Sequence, residues 1–157
     1  HVVASSMSTR FTNPIRALVD TMKITPNPEK EMIPLSIGDP TKFGNFGPPQ
    51  AATDAIIETF RAEKMNGYPK STGIDDSREA IATAFSTAVS PITKDDVVVA
   101  SGCSGALDIA ISALAEEGSS ILLPAPGFSL YSTLAASKKV TTRSYRCLAE
   151  KGWEIDL

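Results

Sequence analysis

Two short runs of consecutive apolar residues flank an apolar helical segment, and they constrain the fold more than any other feature of this sequence. The runs are Val97–Ala100 and Ile121–Leu123, and neither alternates with polar residues. Strands of parallel sheets read this way because helices cover both of their faces. The segment between them, Ser104–Ala115, is apolar on several sides, and Gly118 follows as a stop signal. This order predicts a right-handed βαβ unit of an α/β fold.

Further elements are expected on both sides of this unit. A helix at Ser129–Ser137 and a weaker strand at Val140–Tyr145 continue the series, and Ile33–Ile37 suggests a brief strand upstream. Three helices are also expected before the βαβ unit. They are Ile15–Met22 behind the Asn13-Pro14 start signal, a helix from near Pro48 with Ala52, Ile56 and Phe60 on one face, and a helix whose face carries Ile81, Phe85 and Val89.

Composition and charge exclude several classes of function. The net charge is -3 over 157 residues, so no positive field attracts nucleic acid or anionic lipid. The longest largely apolar segment, Ile109–Ala115, is too short to cross a membrane. Cys103 and Cys147 suggest neither a disulfide framework nor a zinc site. We expect a cytoplasmic protein without nucleic-acid or membrane partners, with mitochondrial import as the alternative if a presequence was removed.

The histidine content and the chain ends add two expectations. His1 is the only histidine, which excludes catalytic triads and paired-histidine metal motifs from this chain. The start without methionine and the stop at Leu157 lead us to expect that natural ends are missing.

The loop Ser101–Gly105 is the strongest candidate for chemistry. It separates the predicted strand ending at Ala100 from the helix beginning near Ser104. A helix amino terminus presents unpaired amides and a partial positive charge, so it binds anions such as phosphate, and small residues allow close approach. Neither a P-loop nor a G-x-G-x-x-G pattern is present, which favours a small phosphorylated cofactor over a nucleotide. A tight turn that binds nothing is the alternative reading of these residues.

Six segments in collinear order resemble the tyrosine aminotransferase branch of the class I and II pyridoxal-phosphate-dependent aminotransferase family. They are Asn13–Ala17, Leu35–Thr41, Asn66–Tyr68, Ser101–Ser104, Pro126–Tyr131 and Trp153–Leu157. The resemblance spans nearly the whole chain and implies the N-terminal part of a fold-type-I enzyme. It implies an arm and small-domain segment at residues 1–47 and the first part of the cofactor-binding large domain at 48–157. It also implies a homodimer with sites at the subunit interface.

The resemblance assigns cofactor contacts to five residues. Gly102, Cys103 and Ser104 would hold the phosphate of pyridoxal 5'-phosphate, Phe128 would stack on its ring, and Tyr68 would reach the phosphate of the other subunit. Each has a simpler alternative. Cys103 fits a small, half-buried side chain, Phe128 a core phenylalanine, and Tyr68 a surface tyrosine in a turn.

Two further residues are implied in substrate binding. Gly38 matches the glycine whose amide meets the substrate carboxylate, although it could serve only to turn the chain before Pro40. Arg16 could meet an anionic substrate, but coating its own helix is the reading that its position favours.

The resemblance also indicates what this chain lacks. The lysine that carries the cofactor covalently, the aspartate beside the pyridine nitrogen and the carboxylate-binding arginine all belong to later sequence in the family. Lys138 and Lys139 end a predicted helix, so we interpret them as a solvated pair rather than as the catalytic lysine.

We therefore expect no catalytic residue in this chain and no turnover from it alone. The implied activity of the longer protein is transfer of the amino group of tyrosine, or another aromatic amino acid, to a 2-oxoacid such as 2-oxoglutarate. A pyridoxal-phosphate lyase, an aminotransferase of other specificity and a non-catalytic folding unit stay open as alternatives.

Overall fold

Helices and strands form two compact units along the chain, which we describe from a computed structural model covering residues 2–10, 12–33, 35, 38–41 and 46–155. One unit comprises residues 1–23 with 100–157, and the other comprises residues 24–99. The elements are α1 (Pro14–Val19), α2 (Gln50–Ala62), α3 (Asp75–Phe85), α4 (Gly102–Leu114), β1 (Ser120–Ala125), α5 (Ser129–Ser137), β2 (Thr141–Leu148) and β3 (Glu154–Ile155). The predicted division of the larger fold at residue 47 stays a prediction.

A three-stranded sheet of order β1-β2-β3 forms the centre of the first unit. β1 and β2 pair in parallel from Ser120 opposite Thr141 to Ala125 opposite Arg146, and α5 connects them. β3 adds an antiparallel pair at the end of β2. Ala135 and Val140 are buried where α5 meets the sheet, and Ile111 is buried on α4. This mixed α/β arrangement confirms the predicted fold class.

Helices α4 and α5 pack against each other. Their carboxyl ends are tied together, because the amide of Gly118 donates to the carbonyl of Lys139 at 3.1 Å and that of Thr141 to Ser119 at 2.8 Å. Both helices therefore begin at the opposite end of the unit, where β1 ends. Ligands of open α/β sheets bind at this carboxyl edge of the strands.

The second unit is centred on α3. The buried residues of this helix are Ala82 and, unusually for a cation, Arg78. A 3₁₀ turn at Lys94–Asp96 packs on α3, and Thr93 and Asp96 close its start as a capping box. Helix α2 has no buried residue among those described.

Most predicted helices are confirmed, and several details of the prediction are wrong. Residues 97–100 do not form a strand: the amide of Val99 bonds only to the Thr72 carbonyl, and no second strand lies alongside among the described residues. Helix α3 ends at Phe85, so Val89 lies beyond it. Of the predicted strand 33–37, Ile33 and Leu35 are not in a strand, and Pro34, Ser36 and Ile37 lie outside the described residues. The short strand β3 was not expected.

Neither a metal-binding cluster nor a membrane-spanning helix is found among the described residues. No group of histidine, cysteine, aspartate and glutamate there could hold a metal ion. Within the same residues, no helix combines the length and apolarity needed to cross a membrane.

Candidate anion-binding site

The amino terminus of α4 carries hydrogen-bond donors that have no partner among the described residues. Ser101 occupies the N-cap position, yet its side chain accepts no hydrogen bond from the amides that follow it. The amides of Cys103 and Ser104, in the first turn, therefore have no capping acceptor. The hydroxyls of Ser101 and Ser104 also lack partners in the part of the chain that the structure describes, and all three residues are exposed. The donors are available to an external anion.

The backbone at this turn depends on glycine at one position. Gly102 has φ +68°, which L side chains rarely adopt, although a Cβ built there would meet nothing within 4 Å. The constraint is therefore conformational rather than steric. No acidic residue lies in the first turn of α4, so no carboxylate of that turn repels a bound negative charge. The partial positive charge of the helix end adds to the attraction.

Phe128 stands at the N-cap position of α5, at the same end of the unit. Its side chain is 54% exposed, which argues against the alternative of a core phenylalanine. Its one ring contact in the described chain is with Tyr131, at a centroid distance of 6.0 Å and an interplanar angle of 87°. Tyr131 is half-buried and supports Phe128 edge to face, leaving ring surface available for another aromatic group.

Tyr68 and Gly38 belong to the second unit. Tyr68 is fully exposed, on a loop between α2 and α3. Gly38 is exposed, its φ lies outside the left-handed region, and a Cβ there would meet nothing within 4 Å. Neither sterics nor backbone angle requires glycine at residue 38 in this structure.

Arg16 lies on α1, in the unit that contains the α4 turn. Its guanidinium is 3.8 Å from the Asp20 carboxylate one helical turn later, and both side chains are about two-thirds exposed. This contact agrees with the reading that Arg16 coats its own helix.

The interpretation of Lys138 and Lys139 as a solvated pair agrees with the structure for Lys139, which is exposed, but not for Lys138. Lys138 is only 25% exposed and its ammonium lies 2.6 Å from the Asp108 carboxylate of α4. Lys139 pairs with Glu117, just before β1. Both cations are held at the carboxyl end of α5, where the helix dipole also favours them.

Sequence reasoning missed a buried arginine, Arg78, and its ion pairs in the second unit. The guanidinium of Arg78 donates to the carbonyl of Lys94 at 2.6 Å and to that of Val97 at 3.0 Å. It also lies 3.2 Å from Asp75 and from Asp95. The sequence carried one signal for the burial of Arg78. This residue lies four positions before Ala82, so the two side chains share one face of α3.

A family model described as aminotransferase class I and II matches residues 30–157. The chain belongs to this family. Human tyrosine aminotransferase is 48% identical to it over 153 residues, covering 98% of this chain and 34% of the human protein. Solved aminotransferase structures superpose as well. Tyrosine aminotransferase from Leishmania infantum does so with a TM-score of 0.90 at 34% identity, covering 99% of this chain and 39% of that one. Alanine aminotransferase from Pyrococcus furiosus superposes with a TM-score of 0.82 at 29% sequence identity, covering 98% of this chain and 39% of that one.

The aminotransferase chain thus spans about a third of the length of the curated relatives it matches. It shares the fold of the solved aminotransferases over nearly all of its length, and the uncapped turn at Gly102–Ser104 lies inside the region that the family model matches. The roles of individual site residues are not decided by these similarities and stay predictions.

Proposed function

We propose that the protein to which this chain belongs transfers the amino group of tyrosine, or another aromatic amino acid, to a 2-oxoacid such as 2-oxoglutarate. The observation that carries this proposal is the uncapped amino terminus of α4 in a chain of the aminotransferase family. The identity of 48% to human tyrosine aminotransferase supports the aromatic substrate class.

The described residues fit pyridoxal phosphate, the cofactor of class I and II aminotransferases. The free amides and hydroxyls at Ser101–Ser104 suit a phosphate, and the exposed ring of Phe128 at the same edge suits a flat heteroaromatic group. When bound, this cofactor supplies an aldehyde and an electron-accepting ring to amino-acid chemistry.

The residues of this chain would bind and orient rather than react. The amides of Cys103 and Ser104 hold the phosphate, the left-handed backbone of Gly102 lets them point outward, and Phe128 fixes the plane of the ring. Tyr68 donates its hydroxyl to the phosphate of the other subunit in a homodimer, and the Gly38 amide meets the substrate carboxylate. Arg16 is a weaker candidate for a substrate contact, because its guanidinium already pairs with Asp20.

Three measurements on the complete protein test the activity. We expect a cofactor absorbance band and, after borohydride reduction, a cofactor covalently attached to a lysine outside this chain. Incubation with tyrosine and 2-oxoglutarate should yield 4-hydroxyphenylpyruvate and glutamate in equal amounts. Absence of both the band and the reduced adduct would overturn the proposal.

A charge substitution tests the anion site itself. Cys103→Asp places a carboxylate in the first turn of α4. The helix dipole stabilises this carboxylate, but the carboxylate repels a phosphate. We expect affinity for pyridoxal phosphate to fall by at least about tenfold, while the neutral Cys103→Ser keeps it. Equal affinity in both variants would remove the phosphate from this turn.

A second candidate is an aminotransferase of other substrate preference, favoured by the likeness to the alanine aminotransferase from Pyrococcus furiosus. Comparison of kcat/KM for tyrosine and alanine separates the two candidates. Formation of a 2-oxoacid with retention of the amino group on the protein-bound cofactor distinguishes both from a lyase.

The cytoplasmic location is likewise proposed, and cell fractionation tests it.

A further inference from the structure

The turn that follows Tyr68 is held by several independent contacts. The amide of Gly73 donates to the Lys70 carbonyl at 2.9 Å, which closes the turn Lys70–Gly73. The Val99 amide donates to the Thr72 carbonyl at 2.9 Å, and the space beside Gly73 is so tight that an added Cβ would lie 2.8 Å from the Val99 Cβ. We call residues 70–73 the anchored turn.

A chain of charges connects this turn to the buried centre of the unit. The Lys70 ammonium lies 2.6 Å from one oxygen of Asp75, and Arg78 lies 3.2 Å from the other. Arg78 is 6% exposed and is fixed in turn by the carbonyls of Lys94 and Val97. Asp75 therefore links an exposed lysine to an arginine that cannot move without losing buried hydrogen bonds.

Tyr68 itself makes no side-chain hydrogen bond or ring contact among the described residues and is fully exposed. Only Pro69 separates it from the anchored turn, and a proline restricts both its own φ and the backbone of the residue before it. The anchored turn therefore sets, through the stiff Pro69, the direction in which the backbone presents the Tyr68 side chain. Such an arrangement presents a ring to something outside this unit.

We propose that Lys70, linked through Asp75 to the buried Arg78, is a positioning residue that holds Tyr68 in the orientation needed to bind the cofactor phosphate. This inference rests on the proposed function, in which Tyr68 contacts that phosphate. Lys70 acts through the turn and does not touch the cofactor.

A double-mutant cycle on the complete protein tests the coupling. Pyridoxal phosphate is titrated into the apoprotein of the unsubstituted form, Lys70→Met, Tyr68→Phe and the double variant. Lys70→Met should weaken binding about two- to fivefold, the range of an exposed ion pair. In the Tyr68→Phe background it should have no further effect, because the hydroxyl that the turn positions is gone.

Matched controls separate positioning from general electrostatics. Lys64→Met removes another exposed cation that has no ion pair among the described residues, so affinity should not change. Lys70→Arg keeps the contact with Asp75 and should restore binding. Asp76→Asn removes a carboxylate beside Asp75 in the first turn of α3 and should leave binding unaltered. Pyridoxal, which lacks the phosphate, should bind Lys70→Met and the unsubstituted protein equally.

Several outcomes of these titrations would contradict the positioning role of Lys70. If Lys70→Met has the same effect with and without the Tyr68→Phe substitution, or lowers the melting temperature without changing affinity, the positioning role is overturned. Loss of pyridoxal binding in parallel with pyridoxal phosphate would overturn it too. Failure of the unsubstituted protein to bind pyridoxal phosphate would instead remove the proposed function, and this inference with it.

Discussion

At the scale of single residues, Phe128 offers the most direct test of the cofactor site. Its exposed ring contacts Tyr131 but fills no core space in the described structure. Phe128→Ala should weaken pyridoxal phosphate binding by the complete protein by about 1–3 kcal/mol if the ring stacks on the cofactor. Titration of the apoprotein measures this, and Phe128→Tyr, which keeps the ring, is the control. Unchanged affinity in the alanine variant would assign the ring to packing.

Arg78 carries the corresponding prediction for stability. Removing its guanidinium leaves the part-buried carbonyl of Val97 without this donor and the carbonyl of Lys94 with the Val97 amide in its place. Arg78→Met should therefore lower the free energy of unfolding by about 2–4 kcal/mol, as urea denaturation would measure. Arg78→Lys should also be destabilising, because a single ammonium cannot reproduce the guanidinium fork. Arg61→Met, at an exposed position of α2, is the control and should stay close to neutral.

Residue-level reasoning from sequence anticipated the α4 turn but not Arg78, for a physical reason. The turn is encoded locally, by small residues placed between an apolar run and a helix. The burial of Arg78 depends on carbonyls 16 and 19 residues away. Arginine is mostly exposed in proteins, so composition argues against its burial until those acceptors are in place.

At the scale of elements, two glycines should respond differently to substitution. Gly73→Ala combines φ +107° with a Cβ 2.8 Å from Val99, so we expect a loss of about 2–5 kcal/mol of stability. Gly102→Ala has a left-handed backbone but open space, and should cost about 1–2 kcal/mol. Gly67→Ala has neither feature and serves as the control. Equal losses at all three positions in chemical denaturation would contradict this ranking.

The capping box at Thr93–Asp96 predicts a pH dependence. The backbone N–H and the hydroxyl of Thr93 donate to the Asp96 carboxylate at 2.8 and 2.9 Å and hold its pKa below the ordinary value. A depressed folded-state pKa stabilises the protein above the unfolded value of about 3.9, and that stabilisation is lost as the pH falls through the folded pKa. Asp96→Asn should therefore be less stable than the unsubstituted protein at pH 7, and the difference should shrink in acid. Glu79→Gln, which removes a carboxylate outside the capping box, is the control.

Element prediction succeeded where signals were local and failed where pairing decides. The bounds of α5 match the expected Ser129–Ser137 because a proline-glycine loop precedes it and a strand follows closely. Residues 97–100 have the composition of a buried strand, yet a strand exists only beside a partner, and none is present in the described chain. β3 is two residues long and arises from antiparallel pairing with the end of β2, which no local pattern announces.

At the scale of the whole molecule, the exposed apolar side chains are the feature that remains to be explained. Ile56 and Phe60 on α2 are 59% and 75% exposed, and Ile109 and Leu114 on α4 are 49% and 87% exposed. Apolar faces of this kind in soluble proteins mark surfaces that other protein segments cover. The chain spans only 34% of its human relative, so the remaining length of such a protein provides candidates for that cover.

We therefore expect the 157-residue chain, expressed by itself, to self-associate and to show no aminotransferase activity, because its apolar faces are open and the family resemblance places the catalytic lysine in later sequence. Sedimentation velocity across a concentration series would measure the association, and product analysis with tyrosine and 2-oxoglutarate the activity. Phe60→Asp should reduce association, since it interrupts the apolar face of α2, whereas Thr59→Asp at the adjacent exposed position should not. A monomer at every concentration would show that these faces do not drive association, and turnover by the chain alone would require a catalytic lysine among its own residues.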